Sequence, residues 1–198
     1  MSDATAPAAA AHHTGTGISN NKLGMWMFLG SECLLFGALI STYMLYRGRT
    51  GDGPTPEQIY DIPFTSVSSF VLLMSSLTMV LAVSSFGRND IRRGRLWLVT
   101  TALLGATFVG GQVYEFTAFY NEGLGYTTSL FGSSFYTLTG FHGAHVSIGI
   151  MMLMATSIMA GRSPEKVSAE GVEIIGLYWH FVDIVWIVIF TLVYLIPT

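Results

Sequence analysis

Apolar positions along this chain gather into five long blocks, and the polar positions gather between them. The blocks run over 23–46, 64–86, 96–119, 136–160 and 174–196. A bilayer core ~30 Å thick takes ~20 residues of helix to cross, so each block is long enough. Transmembrane strands would instead alternate apolar and polar residues over ~10 positions. Runs such as Ile184-Val185-Trp186-Ile187-Val188-Ile189-Phe190 are apolar on every side, which excludes that pattern. The expected fold is all-α: a polytopic membrane bundle of five transmembrane helices over residues 21–198, preceded by a disordered Ala-, Thr- and Gly-rich tail over 1–20. His12 and His13 in that tail have no supporting metal ligands.

Composition sharpens the reading. Charged residues make up 11% of the chain and hydrophobic ones 51%, whereas soluble domains run near ~25% charged. A single Cys excludes a disulfide framework, and there is no spacing for a structural zinc site. A net charge of −3 offers no footprint for nucleic acid. Orientation follows the Lys/Arg distribution. Lys22, Arg88, Arg92, Arg93, Arg95, Arg162 and Lys166 fall on the N-terminal side, and only Arg47 and Arg49 on the other. That bias places the N-terminus in the cytoplasm and the C-terminus outside.

Three carboxylates, Glu32, Glu115 and Asp183, fall inside the blocks, together with His142, His145 and His180. An ionisable group at a helix centre costs ~2.5–3.5 kcal/mol on insertion scales, so such groups are paired, neutral, or wet. At ~1.5 Å per residue, Glu32 and Asp183 both lie roughly 14 Å from the cytoplasmic edge, with His180 one turn shallower. Glu115, His142 and His145 lie roughly 22–28 Å up. Two groups are therefore expected, one at midplane and one in the outer half. His142/His145 and His180/Asp183 are each spaced i, i+3 and share a helix face. A di-iron bundle needs more carboxylates and Glu-x-x-His pairs, so no metal site is expected. Glycines at 24, 30 and 37 and at 140, 143 and 149 either allow close helix approach or leave grooves for lipid tails. Arg88, Arg92, Arg93 and Arg95 suit anionic headgroups. Cys33 reads as a small buried hydrophobe.

Four segments carry a resemblance. Trp26-Met27-Phe28-Leu29-Gly30-Ser31-Glu32, Gln112-Val113-Tyr114-Glu115-Phe116, Gly140-Phe141-His142-Gly143-Ala144-His145-Val146 and Trp179-His180-Phe181-Val182-Asp183-Ile184-Val185-Trp186 resemble, in this order, subunit III of the haem-copper oxidases. The loop Gly53-Pro54-Thr55-Pro56 before Asp61-Ile62-Pro63-Phe64 looks like the short bacterial forms, which have five helices where the mitochondrial forms have seven. The resemblance implies an accessory subunit that binds no haem or copper. Those cofactors sit in the partner subunits I and II of a proton-pumping terminal oxidase in the bacterial plasma membrane, with direct contact mainly to subunit I. It implies that Glu32 matches the carboxyl labelled by hydrophobic carbodiimides, that the chain supports proton uptake, and that its helices hold phospholipid in a cleft. Glu115, His142, His145, His180 and Asp183 carry over as structural or lipid-cleft residues, and no residue as catalytic. Short forms serve both cytochrome c and quinol oxidases. Some quinol-oxidase members have Asp where Glu32 stands, so Glu favours cytochrome c as the donor, with a quinol oxidase as the alternative. A proton-coupled transporter, relaying through Glu32, His180 and Asp183, is the reading from another class. It calls for broken helices and inverted repeats, and the sequence shows no internal repeat. An assembly factor absent from the mature complex is a third.

Overall fold

A computed structural model describes residues 17–51, 54 and 60–196 of the chain. The tail as far as residue 16, with His12 and His13, lies outside the described residues, as does most of the Gly53–Pro56 loop. Helix α1 spans Asn20–Tyr46, α2 Ile62–Gly87, α3 Ile91–Asn121, α4 Leu130–Arg162 and α5 Ala169–Phe190. A short 3-10 turn, Pro164–Lys166, precedes α5, and a π turn, Thr191–Leu195, extends it. All five helices are long and apolar enough to cross a membrane, as the blocks predict.

The helices outrun the apolar blocks because polar caps start them early. Asp90 Oδ1 accepts from the Arg93 amide at 3.1 Å, so α3 begins five residues before Leu96. Ser129 Oγ accepts from Gly132 N at 3.0 Å, so α4 begins six residues before Tyr136. Each cap satisfies one of the four free N–H groups at a helix start. Asn89 takes a positive φ of 60° in the α2–α3 turn, a conformation Asn tolerates better than most side chains.

The packing inverts the soluble pattern. Apolar side chains such as Leu34 (78% exposed) and Met27 (71%) face outward, while Thr65, Ser69, Ser75, Thr78, Ser85 and Thr101 are buried. Between helices in lipid, small and hydroxyl residues permit close approach and supply interhelical hydrogen bonds. Thr78 and Thr101 join α2 to α3 at 2.8 Å. The Trp179 indole enters a slot between Gly105 of α3 and Gly149 of α4, where an added Cβ would lie 2.5 and 2.8 Å from the ring. By contrast, a Cβ at Gly24, Gly30, Gly37 or Gly140 would meet nothing within 4 Å. The glycines of α1 leave open groove.

Helix α5 is the most buried of the five and α1 the least. Helix α1 rests chiefly on α4 and α5. At its start Lys22 Nζ pairs with Glu173 at 2.8 Å and the Ser19 hydroxyl donates to Glu170.

Candidate functional site

The membrane carboxylates occupy three separate places. Glu32 sits on the face of α1 turned to α4, where Oε2 lies 3.2 Å from His145 Nε2, both side chains 14% exposed. His145 Nδ1 lies 2.7 Å from the Phe141 carbonyl oxygen one turn earlier. A carbonyl only accepts, so Nδ1 carries a proton. The approach of Nε2 to Oε2 is an ion-pair contact between two ionisable side chains, and Oε2 makes no hydrogen bond to a described residue. Phe36 packs edge-on against His145 with ring centroids 5.1 Å apart, and the Tyr178 hydroxyl donates to the His145 carbonyl at 2.9 Å. Both hold the histidine in place.

This pairing corrects the expected depth of His145, which lay above Glu32; Glu32 and His180 remain at one level, since Gly30, Cys33 and His180 line a single groove. Those depths assumed that every apolar block starts at one plane. The antiparallel register sets Tyr43 against Phe131 and Phe36 against His142, so the C-terminal end of α4 overhangs the start of α1. His145 is thereby brought down to Glu32.

The second place is the α2–α5 seam. Trp186 Nε1 donates to Ser69 Oγ at 2.8 Å and Trp179 Nε1 to Ser75 Oγ at 2.9 Å. Between these rungs a hydrogen bond of 2.6 Å joins Ser76 Oγ and His180 Nδ1. Asp183, 3% exposed, lies beside Ser76, with neither oxygen at hydrogen-bond geometry to a described residue. His142 is fully buried. Its ring stacks on Trp186 at 4.8 Å, with Phe108 edge-on at 5.9 Å. It belongs to this aromatic seam rather than to a pair with His145.

The third place is the end of the bundle opposite the α2–α3 turn, where Glu115 lies on α3 beside the start of α2. The Thr65 hydroxyl donates to its Oε1. The hydroxyl of Tyr60, in the segment before α2, lies 3.4 Å from the Tyr43 hydroxyl, and the Tyr60 ring packs tilted against Tyr194 with centroids 4.6 Å apart. Burial, then the neighbouring Tyr43, Tyr194 and Glu115, hold the Tyr60 phenol well above its usual ionisation range. A raised folded value means this contribution to stability is full below about pH 10 and lost as pH rises beyond it. Alkaline unfolding of the detergent-solubilised protein should therefore be shallower in Tyr60→Phe; an unchanged pH dependence would count against it.

One expectation changes. Cys33 is exposed and lines an apolar groove of about 310 Å³ between α1 and α5, with Trp26, Gly30 and His180; the open α1 glycines remove the neighbours that would have covered it. The arginine cluster divides: Arg92, Arg93 and Arg95 line one groove, while Arg88 donates to Ser84 on its own helix at 2.7 Å. The partners Ser76, Thr65, Ser75 and Ser69 were not singled out in the sequence, although hydroxyls recurring along one apolar block were the available signal. Among the described residues no three His, Cys, Asp or Glu side chains gather to hold a metal ion.

Five membrane-length apolar helices, hydroxyl-rich seams and carboxylates buried within the bundle define a multi-pass membrane protein of the helix-bundle class. A family model described as cytochrome c oxidase subunit III matches residues 3–197, and the chain belongs to that family. It is 41% identical over 192 residues to the cytochrome c oxidase subunit 3 of Bacillus sp. (strain PS3), covering 96% of this chain and 93% of the relative. It is 40% identical over 178 residues to the quinol oxidase subunit 3 of Bacillus subtilis (strain 168), covering 88% and 86%. A cytochrome c oxidase subunit 3 from Alkalihalophilus pseudofirmus is 39% identical over 178 residues, covering 89% and 86%. Family membership makes the chain part of an oxidoreductase complex with other subunits.

Proposed function

We propose that this chain is the accessory, non-redox subunit III of a proton-pumping terminal oxidase in the bacterial plasma membrane, with cytochrome c as the electron donor to the complex. The observation that carries the reading is the Glu32–His145 pair, two ionisable side chains in contact at the α1–α4 interface beside an apolar groove. A subunit of this build can shield one flank of subunit I, hold lipid against α1 and shape the field near a proton entrance. None of this requires a redox group in the chain itself. Quinol as the donor is the second reading, favoured by the 40% identity to the Bacillus subtilis quinol oxidase subunit 3.

The test is affinity purification of the chain from mild-detergent membranes, with redox difference spectra and oxygen uptake. Haem a and uptake driven by reduced cytochrome c are expected. Uptake from quinol alone would change the donor, and a haem-free isolate with no uptake would remove the oxidase role. In the same preparation Glu32→Ala should assemble normally and alter only the rate of turnover or its decay. Loss of all assembly in that variant would contradict an accessory role.

A further inference from the structure

A groove of about 680 Å³ opens at the charged end of α3, lined by Asp90, Arg92, Arg93, Arg95, Leu96 and Val99, with Ser157 of α4 as its far wall. Its charge is unbalanced. Asp90 is already committed, since it caps the Arg93 amide and pairs with Arg93 Nε at 3.3 Å. Among the described residues neither Arg92 nor Arg95 has an ion-pair partner. Arg95 is nonetheless fixed: its Nε donates to the Ser157 carbonyl oxygen at 3.1 Å, near the C-terminal end of α4, where the helix dipole favours a cation. Gly161, one turn further on, makes the seat, because a Cβ there would lie 2.5 Å from Arg95 Cζ. The terminal Nη1 and Nη2 groups make no hydrogen bond to a described residue, which leaves four N–H donors of the guanidinium available.

We infer that this groove is a binding site for an anionic phospholipid of the surrounding membrane, distinct from the α1–α5 groove. The phosphodiester lies against Arg92 and Arg95, and an acyl chain runs along Leu96 and Val99 toward the exposed Leu103 (62%). The polar donors sit at the end of a membrane helix and the apolar wall runs inward from them, which is the order of headgroup and tail in a lipid. A zwitterionic headgroup would bring its own cation against two unpaired guanidiniums, so phosphatidylglycerol-type lipids are preferred. The inference is independent of the electron donor.

The chain is purified in mild detergent with its bound partners, stripped of lipid, and incubated with palmitoyl-oleoyl phosphatidylglycerol or phosphatidylcholine. Bound lipid is then counted by native mass spectrometry. Selective retention of phosphatidylglycerol is expected, weakened about fivefold for each of Arg92→Gln and Arg95→Gln. Gly161→Ala should weaken it too with no change in charge. It displaces only the flexible end of Arg95, so the fold is retained. Equal retention of the two lipids, or unchanged retention in the Arg92→Gln/Arg95→Gln variant, would overturn the site. Displacement of the lipid by millimolar inorganic phosphate would reassign it to a free anion. A cross-link from Arg95 to an acidic residue of a partner subunit would reassign it to a protein contact.

Discussion

Gly105→Ala and Gly149→Ala should each weaken the bundle more than any other glycine-to-alanine change in α1, α3 or α4 that faces open space. Both glycines bound the slot that receives the Trp179 ring, at 2.5 and 2.8 Å from where a Cβ would stand. Trp179 is rigid and only 1% exposed, so it cannot swing aside as the Arg95 guanidinium can. Overpacking of this kind costs about 1–3 kcal/mol. If the ring shifts, its 2.9 Å bond to Ser75 is lost as well, which adds about 1 kcal/mol. The expected readout is a lower unfolding midpoint in detergent and earlier loss of the subunit from its complex. Gly24→Ala, Gly30→Ala and Gly37→Ala should be near neutral, because their Cβ positions are empty. Equal effects at both sets of positions would mean that the slot is not what fixes α5 to α3 and α4.

His145→Leu should loosen α1 more than Glu32→Leu/His145→Leu does. The single change leaves the Glu32 carboxyl without the side chain that faces it, and breaking one side of a buried pair costs about 3–5 kcal/mol. At 14% exposure the lower end of that range applies. The double change replaces both members with apolar side chains and removes the unpaired group, which is often neutral. Hydrogen exchange along α1 would report the difference, and decay of oxygen uptake during sustained turnover would report its consequence. Additive effects of the two single changes in a double-mutant cycle would show that the residues act separately. Helix α1 is the right place to look, since this pair lies between its end ties, Lys22–Glu173 and Ser19–Glu170 at one end and Tyr43–Tyr60 at the other.

The number, order and approximate ends of the helices were legible because a membrane helix must be apolar over a fixed length, and that constraint is written directly in the chain. The errors at the ends came from Asp90 and Ser129, whose caps start helices in polar sequence. The candidate site was legible as a set of residues and less so as a set of contacts. Glu32, His145, His180 and Asp183 stand out because ionisable groups are rare in apolar blocks. Which of them meet depends on the register between helices, and register is set by packed surfaces such as Phe36 against His142 and Tyr43 against Phe131. Those apolar side chains look alike in sequence. The same limit hid Ser76 and Thr65, whose hydroxyls acquire meaning only from the α5 and α3 side chains opposite them.

The placement of α1 has a consequence for how the protein is made. It leaves the ribosome before α4 and α5, yet it packs chiefly on them, and roughly 80 residues separate its end from the start of α4. At about 5–20 residues per second that interval lasts roughly 4–16 s. For that time Glu32 is held in α1 without the His145 side chain that will face it. Synthesis therefore commits α1 to carrying an ionisable side chain before its counterpart exists, a wait that costs free energy in lipid.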